Sequence, residues 1–135
     1  MNKTLVTGLL AGLTIFAAGF VLGIIRTLWL VPQMPAWQAV LIEGPVILTL
    51  TWFVLRFWVR RGAISAATST RLMFGGMALI TLWLCEWIMT IALMTEDPGF
   101  FFRSLATLPG AMGLAGQLLI IFMPLWMKPG QDPIR

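Results

Sequence analysis

Residues 5–31 read LVTGLLAGLTIFAAGFVLGIIRTLWLV, a run of 27 residues with one charge, Arg26. A bilayer core about 30 Å thick is crossed by about 20 apolar residues of α-helix. The run is therefore read as a membrane helix. It follows Met1-Asn2-Lys3-Thr4, as the apolar part of a secretory signal would. It is too long for that role, and no small-residue cleavage motif precedes Arg26, so it is expected to be retained.

Three comparable runs follow, at about 36–59, 72–94 and 105–127. The connections carry turn residues: Pro32-Gln33-Met34-Pro35, the small and polar stretch from Gly62 to Thr70, and Glu96-Asp97-Pro98-Gly99. Lys128-Pro129-Gly130 ends the last run. The chain is 59% hydrophobic and 10% charged, with a mean hydropathy of +0.93. Soluble domains carry about 25% charged residues, so this composition does not cover a water-facing surface. The expected fold is an all-α integral membrane protein, a single domain over residues 1–135. Its four transmembrane helices form an antiparallel up-down bundle.

Positive residues set the expected orientation. Arg56, Arg60, Arg61 and Arg71 flank the connection between the second and third runs. Lys3, Lys128 and Arg135 sit at the termini, while the other side has Arg26 and Arg103, the latter beside Glu96 and Asp97. Lys and Arg concentrate in cytoplasmic loops, so both termini are expected inside, in a bacterial inner membrane. The same placement at helix ends explains the net charge of +4 without a nucleic-acid partner. The expected partners are the lipid bilayer and either further copies of the chain or a heteromeric membrane complex.

The chain has no His and one Cys, Cys85. His-ligated haem or zinc, a Ser-His-Asp triad and an intrachain disulfide are thereby excluded within it. The nine Met residues are scattered and read as packing. No cofactor or metal site is expected. No nucleophile or cofactor motif specifies an enzyme.

At about 100° per residue, Gly8, Gly12, Gly19 and Gly23 fall on one stripe of the first helix. Small residues let helix backbones approach closely in lipid, where no hydrophobic drive pulls helices together. Ala106, Gly110 and Gly113, followed by Gln117, form a similar face on the fourth helix.

Three charges lie inside apolar runs: Arg26, Glu43 and Glu86. Each costs at least about 2.5–3.5 kcal/mol on insertion scales unless paired. Arg26 and Glu43 lie almost equally far from the turn near Met34, so a hairpin brings them to one depth, about 9–12 Å below its end. An ion pair is expected there. Glu86 then has no cationic partner in the membrane part, and a carboxyl so placed suits proton coupling or cation binding. The less specific reading is a hydrogen bond to a backbone carbonyl or to Gln117. Trp83 and Trp87 bracket Glu86 and offer an aromatic wall. Pro45 and Pro109 add irregular backbone to the same half of the bundle.

Trp29 and Trp37 flank the first turn, with Trp58 and Trp126 near the opposite end, as interfacial anchors. The basic and aromatic tail Arg56-Phe57-Trp58-Val59-Arg60-Arg61 is expected at the inner headgroups. Phe100-Phe101-Phe102 is unusually apolar for a connection and reads as an interfacial or partner-facing segment. Two functions remain open on the sequence. One is a small polytopic membrane protein that binds or transports a small molecule or a proton through Arg26, Glu43, Glu86, Trp83, Trp87 and Gln117. The other is a structural or accessory subunit of a larger membrane complex.

Overall fold

The computed structural model describes residues 3–61, 64–93 and 97–127. The turn and orientation signals at Gly62, Glu96, Lys128 and Arg135 lie outside the described residues. Helix α1 runs over Lys3–Ile25 and continues through a π-helical turn, Arg26–Leu30. Helix α2 spans Ala36–Arg61 and α3 spans Thr68–Ala92. A short helix α4, Phe100–Ser104, precedes α5, Leu108–Phe122, which ends in a 3₁₀ turn at Met123–Trp126. Lys3–Leu30, Ala36–Arg61, Thr68–Ala92 and Leu108–Trp126 are long and apolar enough to cross a membrane. Helices suit that setting because mid-helix N–H and C=O groups are paired within their own segment, proline positions aside.

Two helix starts differ by several residues from those expected on the sequence. The fourth span starts at Leu108 and not near 105. Thr107 takes an extended conformation, and its Oγ1 accepts the Gly110 N–H at 3.2 Å. Pro109 follows in the first turn, where its missing N–H costs nothing. Ala106, expected on the packing face, therefore lies outside the helix and is exposed. Helix α3 starts earlier than expected, at Thr68. Ser65 Oγ accepts the Ala67 N–H at 3.1 Å just before it. Arg71 thus belongs to the first turn of α3 and not to a loop.

Residue pairs give the helix directions. Thr14 meets Trp58, Gly19 faces Ile47 and Arg26 meets Glu43, so α1 and α2 are antiparallel. Gly8 lies against Phe74 and Met77, and Gly12 against Ala78 and Thr81, so α1 and α3 are parallel. Arg71 reaches Pro124 and Gln117 reaches Glu86, so α3 and α5 are antiparallel. Around the bundle the order is α1, α2, α5, α3, with α2 and α3 on a diagonal. One end holds the start of α1, the α2–α3 connection and the 3₁₀ turn, and is called the terminal end below. The other, the hairpin end, holds the turn after Leu30 and helix α4.

Close approach is made by three glycines. A Cβ on Gly12 would stand 2.5 Å from the Ala78 carbonyl oxygen and 2.6 Å from Thr81 Cβ. One on Gly8 would stand 2.8 Å from both the Phe74 carbonyl oxygen and Met77 Cβ. Gly75, which lies on neither glycine face read from the sequence, packs against the Ile120 and Ile121 carbonyls, at 2.8 and 2.7 Å for an added Cβ. The stripe is used in its first half only. The nearest neighbours of an added Cβ are Ile47 Cδ1 at 4.0 Å for Gly19 and Arg26 Nη2 at 3.9 Å for Gly23. Gly113 meets nothing within 4 Å. Gly110 abuts the Ser104 carbonyl of the preceding turn, so its role is to let the chain fold back before α5.

The core sits toward the terminal end. Ala11 and Ile15 of α1, Leu55 and Val59 of α2, Phe74, Ala78, Leu79 and Leu82 of α3, and Ile120 and Met123 pack together. Toward the hairpin end the buried residues among those described are few, chiefly Ala39, Thr90 and Phe101. Trp29 and Trp126 are exposed at opposite ends of the bundle, where an aromatic anchor meets the membrane–water boundary.

Candidate functional site

The in-membrane charges occupy the sparsely buried half. Arg26 opens the π turn, in which the Val31 N–H donates to the Arg26 carbonyl at 2.9 Å, five residues back. Such turns carry one residue too many for an α-helix and often mark functional positions. No proline or glycine within Arg26–Leu30 signals it. The Arg26 side chain folds back over Gly23, as helical side chains lean toward the N-terminus. Its Nη1 then meets Glu43 Oε2 at 2.8 Å. Glu43 is the more enclosed partner, with 12% of its side chain exposed against 35% for Arg26. Equal depth in the hairpin brings the two together. Each removes much of the other's insertion penalty.

Pro45 follows Glu43 by two residues, yet α2 continues through it. Its ring leaves the Leu41 carbonyl without a helical donor. One turn further on, the Thr49 hydroxyl donates to the Pro45 carbonyl at 2.7 Å.

Across the bundle, α3 and α5 build a second polar group. Trp83 and Glu86 lie three residues apart on one face of α3. Gln117 of α5 bridges them. The Trp83 indole N–H donates to Gln117 Oε1 at 2.9 Å, and Gln117 Nε2 donates to Glu86 Oε1 at 2.8 Å. An indole is only a donor, so the amide orientation is dictated: oxygen to Trp83, nitrogen to the carboxyl. Glu86 Oε2 receives no hydrogen bond among the described residues and keeps accessible surface. Among the described residues Arg26 makes no hydrogen bond to Glu86.

The six candidate residues therefore divide into an ion pair, a hydrogen-bonded chain of three and one outlier. The outlier, Trp87, turns to the connection after α3, where its indole N–H donates to the Pro98 carbonyl at 2.9 Å. Beyond it, Asp97 and Arg103 pair at 2.8 Å in the open. The Arg103 hydrogen bond holds the Asp97 carboxyl below the usual carboxylate range. Exposed pairs of this kind contribute little to stability. Cys85 is half-buried beside Phe16 and Phe20 in an apolar groove between α1 and α3.

Arg71, which on the sequence is only a topology signal, has a larger part in the structure. It is 1% exposed. Its Nε donates to the Ser65 carbonyl at 2.7 Å and Nη2 to the Ile64 carbonyl at 3.3 Å. Its Nη1 donates to Pro124 at 3.1 Å and to Met127 at 3.3 Å, also on their carbonyls. A cation in the first turn of a helix opposes the helix dipole. These four carbonyls, two of them at the negative end of the fourth span, supply the compensation. Arg71 is a structural clamp, not part of the polar cluster.

Among the described residues no group of three His, Cys, Asp or Glu side chains is placed to hold a metal. Comparison with known proteins returned no matching family, no matching curated protein and no matching solved structure.

The Arg26–Glu43 pair is tested by a double-mutant cycle. Arg26→Gln and Glu43→Gln each leave one charge of the pair without its partner, whereas the double variant removes both. The expected coupling is about 1–2 kcal/mol, read from unfolding midpoints in mixed detergent micelles. Strictly additive single effects would show that the contact does not stabilise the fold.

Proposed function

We propose that the chain is a small polytopic membrane protein whose polar cluster at the hairpin end binds a cation or a proton, with Glu86 as the binding group. One observation carries this reading. The cluster holds two carboxylates and one guanidinium, and the guanidinium is taken by Glu43. Glu86 is left with a neutral amide on one oxygen and an unengaged second oxygen. An uncompensated carboxylate among apolar helices favours a cation, or a proton, as its partner. Trp83 and Gln117 hold Glu86 in one orientation while leaving Oε2 to the ligand.

The positive residues at the terminal end, Lys3, Arg56, Arg60 and Arg61 among them, support a cytoplasmic placement of that end. The cluster then lies in the outer half of a bacterial inner membrane. A chain of this size has little room for alternating access, so a transporter would be a homo-oligomer.

The test uses a hydrophobic carbodiimide, which modifies protonated carboxyls in an apolar setting, read by peptide mass spectrometry. Labelling is expected at Glu86, absent at that position in Glu86→Gln, and suppressed severalfold by tetraphenylphosphonium. Labelling that ignores both pH and the cation would overturn the assignment. A second reading, an accessory subunit of a membrane complex, is favoured by Phe102, which is 63% exposed on α4. A fixed heteromeric mass in mild detergent would support that reading over the first.

A further inference from the structure

Helix α2 carries a second candidate site, at the terminal end and on the face turned away from the bundle. Thr51, Leu55 and Val59 are its buried residues there. Phe53, Arg56, Phe57, Arg60 and Arg61 lie on the opposite side of the helix at 3.6 residues per turn, and all are exposed. Together they line an open groove of about 560 Å³.

The arrangement is a double ladder. Phe53 and Phe57 stand one turn apart, and so do Arg56 and Arg60, so rings and guanidinium groups alternate along one face. No carboxylate pairs with Arg56, Arg60 or Arg61 among the described residues; the ion pairs there are Arg26–Glu43 and Arg103–Asp97. Arg56 is the informative member. It lies five residues before the helix end at Arg61, about 7 Å deeper, on a face that meets lipid. An arginine so placed extends its side chain toward the headgroups, within reach of their phosphates. A topology signal alone requires only that positive charge sit beyond the helix end. It does not require a guanidinium a turn further in, flanked by two exposed rings.

We propose that this groove binds the headgroup of an anionic phospholipid, the phosphate lying between Arg56 and Arg60 and the upper acyl chains lying over Phe53 and Phe57. The guanidinium fork meets phosphate oxygens with paired hydrogen bonds, and the rings supply the apolar wall that a free anion would not use. The site is independent of the Glu86 cluster at the other end of the bundle.

The test is native mass spectrometry of the purified full chain in detergent, with dioleoyl phosphatidylglycerol and dioleoyl phosphatidylcholine in equal amounts. Retention of the anionic lipid is expected to exceed that of the zwitterionic one by about tenfold, taking a few-fold for each engaged arginine. R56Q/R60Q is expected to bring the ratio close to one, while R103Q leaves it unchanged. Both arginines of the double variant are exposed, so the fold is expected to persist, and circular dichroism checks it. If the double variant does not fold, R56K/R60K serves instead; it keeps charge, loses the fork and is expected to lower the ratio severalfold. A ratio unaffected by either double variant, or lowered equally by R103Q, overturns the proposal. Competition by glycerol 3-phosphate as strong as by the lipid would show a free-phosphate site in its place.

Discussion

Arg71→Met is expected to destabilise the fold by about 3–5 kcal/mol, a large share of a typical 5–15 kcal/mol total. The side chain ties two chain segments: the carbonyls of Ile64 and Ser65 before α3, and those of Pro124 and Met127 at the end of the fourth span. Methionine fills a similar volume but donates nothing, so four carbonyls lose a charged partner at once. Hydrogen bonds to charged groups are worth about 1.5–3 kcal/mol each, and a carbonyl left buried without a donor costs about 1–3 kcal/mol. Water entering from the membrane surface offsets part of that sum, which is why the expected cost is below the simple total. Arg71→Lys keeps the charge on a compact ammonium and cannot span carbonyls on both sides. It is expected to recover about half of the loss. The measurement is the unfolding midpoint in mixed micelles. A cost under about 1 kcal/mol for Arg71→Met would show that the clamp does not hold the terminal end together.

Arg71 also shows where a reading of the chain stops. In the sequence it is one of several arginines near a connection, and positive charge beside a membrane span has a sufficient explanation in topology. Its partners lie up to 56 residues away and are main-chain carbonyls, which carry no side-chain signature. Arg26 and Glu43 are legible for the opposite reason. A short turn fixes their relative depth, and two charges in apolar runs need each other. The Trp83–Gln117–Glu86 chain is legible only in its members, because the approach of α5 to α3 depends on a bundle order that no local pattern encodes. The π turn at Arg26–Leu30 has no proline or glycine to announce it. The start of α5 does have its signal, Thr107 before Pro109. The apolar residues Leu105 and Ala106 make the run look continuous.

Glycines separate packing from mere helix composition, and their substitutions are expected to divide in sign. Gly12→Leu is expected to destabilise by about 3 kcal/mol, the upper part of the usual range for overpacking. Its first added atom meets the Ala78 carbonyl at 2.5 Å, and backbone cannot yield as a flexible side chain can. Relief would require α1 and α3 to separate along the face that Gly8 and Gly12 share. Gly113→Ala is expected to stabilise by about 0.5–1 kcal/mol. A methyl there meets nothing within 4 Å, and alanine restricts the unfolded chain more than glycine does. The stripe Gly8, Gly12, Gly19, Gly23 thus carries two meanings on one helix face. At the terminal end the missing side chains set how closely α1 approaches α3. At the hairpin end the bare face at Gly23 leaves room for Arg26 to fold back toward Glu43. Gly23→Leu is accordingly expected to disturb the ion pair and not the helix separation. Paired unfolding midpoints for Gly12→Leu and Gly113→Ala test the division. Equal destabilisation by both would mean that α5 is packed through Gly113 as tightly as α1 is through Gly12, and the assignment of close approach to the α1–α3 face would fall.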